Sequence, residues 1–445
     1  MTYAPEHELS KKEIYDGCQG AHWFEPTIFY DNNDQLKDLV PELLKILYEY
    51  KAYTRYRQAL HEEQAQIFLN NALPAYWYTE GWIAIPVKTE NYSGTSASAR
   101  LFNELIIDGL IRHGFLIKHL GYNNGLVGRV TRYRMTSEFN NWIDGKNLTP
   151  ETPKFPRPKA VIVVKDSNRK KIKSSDFETE QYKQLKRNLE IINDSLETID
   201  LSLDLSASEI KRLNQRLYQR SREDKDQPMP YFAASKKFLS RTFNNSSLEH
   251  GGRFYRGFWQ SLPKEYRSKI LIDNEATIEV DFKCMHSRIL YALEGEEYLK
   301  DIYHLDGIDE KYRELTKQIF LKIYNAKSLS QTRNSVRASG VLKNKLDGKF
   351  PKGIRSYNDF IGCIERQHPT LAKYFYTGIG LRLQNIDSRI AESIMLRMIK
   401  EHNTVALCVH DSFIVKKRYK KELIQVMQEE YKNETGCNCP IELKN

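Results

Sequence analysis

The stretch Val405-Ala-Leu-Cys-Val-His-Asp-Ser-Phe-Ile-Val415 constrains the fold most, because one His-Asp pair interrupts a run that is otherwise apolar and rich in β-branched residues. The run is too short to span a membrane, and its Val and Ile content favours strand. His410, Asp411 and Ser412 at its centre suit a tight turn, since Asp and Ser side chains bond nearby backbone. Two short strands meeting there would lift the Asp411 carboxylate to a hairpin tip, where it could serve a hard cation such as Mg²⁺. An ordinary hairpin with a polar turn would use the same residues, so this stretch needs support from the rest of the chain.

At 445 residues the chain has room for two or three domains. Its 68 Lys and Arg against 58 Asp and Glu give a formal charge of +10, which suits a polyanionic partner without requiring one. No apolar run is long enough for a membrane span, so none is expected. The first residues, Met1-Thr-Tyr-Ala-Pro-Glu-His-Glu8, lack the segments of a secretory signal and carry acids that a mitochondrial transit peptide avoids. Six scattered cysteines fit a reducing compartment, and a cytoplasmic location is expected. Cys437-Asn-Cys439 and the Cys18/His22 pair are at best half-sites for zinc, with no second pair in register.

From Asp34 to about Asn71, apolar residues recur at helical spacing. A second helical pattern runs from Ser98 to Gly114, with Leu101, Leu105, Ile106 and Leu110 on one face and Gly as its stop. Phe115-Leu-Ile-Lys-His119, a turn at Asn123-Asn-Gly125 and Arg129-Val-Thr-Arg-Tyr-Arg-Met135 then read as a hairpin. Helix followed by hairpin resembles winged-helix domains in outline. Arg100 at the helix start and Arg129, Arg132 and Arg134 on the second strand are the residue types that contact nucleic-acid phosphates. A small α+β domain that binds protein or packs on a neighbour would show the same outline. Pro150, Pro153, Pro156 and Pro158 mark a linker over 147–159. A strand at Ala160–Val164, a helix from Phe177 to Ile199 and a polar loop near Ser221–Gln227 follow.

Three further stretches bear on Asp411. In Ala276-Thr-Ile-Glu-Val-Asp-Phe282 a β-branched strand ends at Asp281 and a helical pattern starts within a few residues. Asp281 and the Phe282 carbonyl would supply oxygen ligands to one side of a metal. In Tyr312–Ala326, Arg313 and Lys317 stand four apart, so on a helix they project from one face and suit a triphosphate. In Gly251-Gly-Arg-Phe-Tyr-Arg-Gly-Phe-Trp259, arginines alternate with aromatics able to stack on bases. Together these pieces describe nucleotidyl transfer with two metal ions held by two aspartates.

Over about Asn244 to Lys417 the chain resembles the superfamily of family A DNA polymerases and single-subunit phage and mitochondrial RNA polymerases. Asp281 and Arg288, seven apart, resemble motif A. Arg313 and Lys317 resemble motif B, and His410-Asp411-Ser412-Phe413 is similar to motif C of the RNA polymerases. Gly252-Arg253-Phe254-Tyr255 is similar to a Gly-Arg-x-Tyr element upstream of motif A. Two departures stand out. His286 occupies the position of the Glu with which the DNA polymerases exclude a ribose 2′-hydroxyl, and Asn325, preceded by Tyr324, occupies that of the motif B Tyr.

The resemblance implies an α+β fold: a polymerase palm, with an antiparallel sheet carrying the motif C hairpin, and helical fingers. The expected domains are a winged-helix-like region over 1–146, the linker, a mainly helical connecting or thumb-like region over 160–243, and a palm-and-fingers module over 244–445. It implies Asp281 and Asp411 as catalytic metal ligands with the Phe282 carbonyl, and two Mg²⁺ ions, with Mn²⁺ as an alternative. Arg313, Lys317, His286, Tyr324 and Asn325 would bind the nucleotide, and His410, Arg288, Gln384 and Arg253 the primer and template. The expected partners are a nucleic-acid template, DNA ahead of RNA, and nucleoside triphosphates. The other reading is a nucleic-acid-binding protein or winged-helix regulator that retains a palm scaffold without activity.

Overall fold

The computed structural model describes residues 21–29, 34–49, 58–86, 97–119, 131–146, 153–158, 161–172, 179–223 and 231–444, together with 92, 122–123, 128–129, 148 and 177. The fold is mixed α+β with antiparallel sheet. The chain divides into two compact units, 1–159 with 203–236, and 160–202 with 237–445. Segment 203–236, read from sequence as part of a connecting region, belongs to the first unit. No helix among the described residues is long and apolar enough to cross a membrane.

The first unit has helices at Asp34–Tyr48, Gln58–Tyr78 and Ser137–Asp144, and a helical run over 99–112 that includes a π-turn at Phe102–Ile107. Its core gathers Leu43, Phe68, Phe102, Ile106 and Phe139 from these helices. The sheet runs His22–Trp23, Trp82–Ala84, Arg132–Met135, Leu116–His119, parallel in the first pair and antiparallel in the other two. The Asn123-Asn-Gly125 turn lies only partly within the described residues, and the Arg129 side chain lies outside them. Arg132 and Arg134 are not surface cations. They project from the same face of a strand paired on both sides, are nearly fully buried, and lie against the rings of Trp23 and Trp82. That burial sets them apart from the phosphate-contact role their charge suggests. Arg100 is exposed and pairs with Glu104 one turn on, at 3.0 Å.

The second unit's elements are numbered along it: β1 (Ile162–Val164), α1 (Glu180–Thr198), β2 (Leu201–Leu203), β3 (Ser240–Asn244), β4 (Ser247–Tyr255), β5 (Ile270–Ile272), β6 (Glu275–Phe282), α2 (Met285–Leu293), α3 (Arg313–Ile323), α4 (Leu329–Ala338), α5 (Tyr357–Gln367), α6 (Gly380–His402), β7 (Leu407–Val409), β8 (Ser412–Lys416), α7 (Lys420–Thr435) and β9 (Ile441–Lys444). The larger sheet runs β7-β8-β6-β5-β2, and β9 pairs with the end of β6. β7, β8 and β9 are all antiparallel to their neighbours. A smaller sheet, β4-β3-β1, is tied to α6 by the buried Arg241 of β3. Arg241 donates to the Gly252 carbonyl and to Ser388 Oγ and pairs with Glu392 at 2.9 Å. Gly252 has φ +86°, and a Cβ there would stand 2.6 Å from the Phe243 ring, so this bulged strand requires glycine.

Candidate active site

Strand alternation sends Thr277, Glu279 and Asp281 of β6 to one face and Val280 and Phe282 into the apolar interior. Glu279 is already engaged: Arg267 donates to both its oxygens at 2.9 and 3.1 Å, and Ser412 Oγ donates at 2.7 Å. Asp281 is therefore the available carboxylate of the strand. After Phe282 the chain turns through Cys284 in a left-handed conformation, and α2 starts at Met285. His286 and Arg288 thus follow within two turns of the strand end.

β7 and β8 pair Val409 with Ser412, leaving His410 and Asp411 as a two-residue turn. His410 takes φ +60°, the positive value that tight hairpins favour at their first central position. Across the sheet Asp281 faces Ser412, and the Phe282 amide donates to the Asp411 carbonyl at 3.2 Å. This register brings two aspartates from residues 130 apart to one end of the sheet.

Burial raises the Asp281 carboxyl to about 7, the Asp411 charge adds to the shift, and Lys444 opposes it. Lys444 Nζ stands 2.6 Å from Asp281 Oδ2, while Oδ1 is buried with no hydrogen-bond partner. A carboxyl raised in the fold holds more protons there than in the unfolded chain, so stability falls as pH rises from the ordinary value of 3.8 toward 7. Asp281→Asn is accordingly expected to stabilise the metal-free protein on the order of 2 kcal/mol at pH 8. The gain should shrink toward pH 4, which urea titrations at the two pH values would check.

Asp281, Asp411, His410, His286, Arg288, Arg253, Arg313, Lys317, Tyr324, Asn325 and Gln384 all line one cleft of about 610 Å³. Arg313 and Lys317 reach it from α3. Arg313 forks onto Asp301, with Nε at 2.7 Å from one oxygen and Nη2 at 3.3 Å from the other, and lies over the Tyr303 ring. The Asn325 side chain abuts Gly380, where a Cβ would stand 2.1 Å from Oδ1, and the Gly380 amide donates to the Tyr324 carbonyl at 3.0 Å. The end of α3 is thereby locked onto the start of α6. Tyr324 is buried, its hydroxyl 2.9 Å from Ser287 Oγ.

Behind the cleft sits Asp387 of α6, almost fully buried. Arg253 Nε lies 2.9 Å from its Oδ2, Arg253 Nη2 also contacts that oxygen, and His286 Nε2 is 2.7 Å away. Arg253 Nη2 and His286 Nε2 are themselves 3.0 Å apart. With the Nε2 proton directed at the carboxylate, those two nitrogens are both donors and meet through Asp387. Burial works against the Asp387 charge, yet the His286 hydrogen bond and the Arg253 charge outweigh it and hold the carboxyl below its ordinary range.

No family model matches the chain, and no curated protein matches it. Among solved structures it is similar to the POL domain of Pol1 from M. smegmatis in complex with DNA primer-template and dNTP. The identity is 14%, the TM-score 0.29, and the match covers 54% of this chain and 55%, about half, of that one.

The bonds of Arg288 give it a structural task. It donates to the carbonyls of Tyr298 (3.0 Å), Leu299 (3.3 Å) and Lys300 (2.8 Å) and to that of Lys283. It is 3% exposed, so in this structure it clamps the 298–300 segment to the strand end, and little of it is open to a primer or template. Arg288→Lys, which keeps the charge and loses the fork, is expected to destabilise by about 2 kcal/mol in chemical denaturation. Sequence reading missed Asp301, Asp387, Glu442 and Lys444. The last two sit in Ile441-Glu-Leu-Lys444, whose alternation of apolar and charged residues is a strand signal.

Proposed function

We propose that the second unit is a template-directed nucleic-acid polymerase working by metal-assisted nucleotidyl transfer. The observation that carries this reading is the convergence of Asp281, near the end of β6, and Asp411, at the β7–β8 turn, on a cleft that α3 lines with Arg313 and Lys317. The donor set fits Mg²⁺. Asp281 Oδ1 is a buried carboxylate oxygen without a protein partner, and Asp411 stands at the adjacent turn. Among the described residues no three or more His, Cys, Asp or Glu side chains form a metal cage. The ion of the proposed site would be held by the two carboxylates and completed by substrate phosphates and water. When bound, such ions lower the pKa of an attacking hydroxyl and offset charge on the leaving pyrophosphate.

The chain's own groups then have separate tasks. Asp281, Asp411 and the Phe282 carbonyl present oxygens at the reacting phosphate. Lys317 and Arg313 meet the triphosphate, Arg313 by exchanging Asp301 for phosphate, since its planar fork serves either anion. His286, pinned by Asp387, and Asn325 and Tyr324 at the end of α3 border the place of the sugar and base. His410 and Gln384 face the primer end and template strand, and the +10 charge of the chain favours a polyanion.

The test is extension of a labelled primer on DNA and RNA templates, with dNTPs or NTPs and with or without Mg²⁺ or Mn²⁺. The expected result is divalent-dependent incorporation directed by the template base, and the preferred triphosphate and template name the product. No incorporation under any combination would leave the non-catalytic nucleic-acid-binding reading in its place.

A further inference from the structure

β9 completes the catalytic face of the sheet. Its register sets Glu442 opposite Asp281 and Lys444 opposite Glu279. Glu442 and Lys444 share one face of the strand, two residues apart. Lys444 Nζ lies 2.6 Å from Asp281 Oδ2 and 3.8 Å from Glu279 Oε1, and Lys283 Nζ lies 3.5 Å from Glu442. Glu279 is neutralised by Arg267, so among the described residues Asp281 is the carboxylate for which Lys444 is the close cation. The cation is local, directional and on a flexible four-carbon stem, and it occupies one of the two oxygens of a group that is 7% exposed.

We propose that Lys444 is the internal counter-ion of Asp281, holding the carboxylate in the metal-free protein and competing with the divalent ion for it. The inference rests on the metal-site reading of Asp281 and Asp411. Metal binding then exchanges one cation for another: the ammonium leaves Oδ2 and relocates toward Glu279, whose Oε1 already lies 3.8 Å from it. A buried anion left without any cation would be costly in the interval between nucleotides, and an ammonium that can leave removes that cost without fixing a metal permanently. Lys444 is in this sense a positioning residue that sets the metal requirement.

The experiment measures Mn²⁺ binding calorimetrically to the full chain without nucleotide. Lys444→Met and Lys444→Gln remove the competitor, and both are expected to bind Mn²⁺ on the order of tenfold more tightly than wild type, the worth of a partly screened ion pair. Lys444→Arg keeps a cation and should stay within about threefold of wild type. Lys283→Met removes the same charge from the same cleft without touching Asp281, and its effect should be clearly smaller. Asp281→Asn identifies the site by abolishing the binding. Unchanged or weaker binding in both neutral variants, or an equal gain in Lys283→Met, overturns the counter-ion role while leaving the metal site standing. Absence of any Asp281-dependent Mn²⁺ binding removes the metal-site reading and this inference with it.

Discussion

Asp411→Asn is expected to lower metal-dependent incorporation about a thousandfold, equivalent to roughly 4 kcal/mol of lost transition-state stabilisation. The substitution keeps the shape of the side chain, and Asn tolerates tight turns as well as Asp, so the two-residue connection between β7 and β8 should persist. What disappears is one negative charge at the tip, and with it half of the anionic field that would hold two divalent ions. Asp281→Asn should cost a similar factor, because in the proposed mechanism the two carboxylates would hold the same ions and removal of either would disable the pair. The two variants separate in the metal-free state. Asp281→Asn relieves a buried charge and is expected to gain stability at pH 8, whereas Asp411→Asn acts at a half-buried turn. Single-turnover primer extension with saturating Mg²⁺ measures the rate loss, and circular dichroism verifies the fold. Retention of a tenth or more of wild-type rate in both variants would remove the aspartates from the chemistry.

Much of this site was legible because its members carry local signals. The β-branched run around His410-Asp411 announced a hairpin, and the structure has one, with β7 and β8 joined by those two residues. Asp281 was legible as a strand end, and Arg313 and Lys317 as one face of a helix. Illegible were the contacts that depend on register between distant segments. Lys444 reaches Asp281 only because β9 pairs with β6 across 160 residues, and nothing in a four-residue strand states its partner. Arg288 could be read as an open cation because a lone Arg on a helix gives no sign that three carbonyls of the 298–300 segment will fold over it. Arg132 and Arg134 misled for a related reason: a charged residue on a short strand suggests solvent, yet Trp23 and Trp82 cover that face. Asp387 was hidden by its helix. The apolar pattern of α6 draws attention to Ile390, Ile394 and Met398, while Asn385, Asp387, Ser388 and Glu392 are buried among them.

The second large effect belongs to that helix. Asp387→Asn is expected to destabilise the protein by about 3–5 kcal/mol, because removing one partner of a buried ion pair leaves the other charge uncompensated. Arg253 cannot shed its proton, its side chain is only 19% exposed, and Asp387 is the carboxylate that satisfies its fork. The Asn amide would also turn a donor toward a site where Arg253 and His286 already donate. The pH dependence follows from the depressed carboxyl. Its contribution is fully present above the ordinary Asp value of 3.8 and is lost as pH falls through the lower folded value, so the gap between wild type and variant should hold at neutral pH and narrow only in acid. Arg253→Met separates charge from packing. In combination with Asp387→Asn it removes the stranded guanidinium, and the double variant should be more stable than Asp387→Asn alone, with a coupling of about 2 kcal/mol or more in a double-mutant cycle by urea titration. Additive losses would mean that Arg253 and Asp387 are held by their neighbours independently. His286 would then owe its place beside β6 to helix α2 alone.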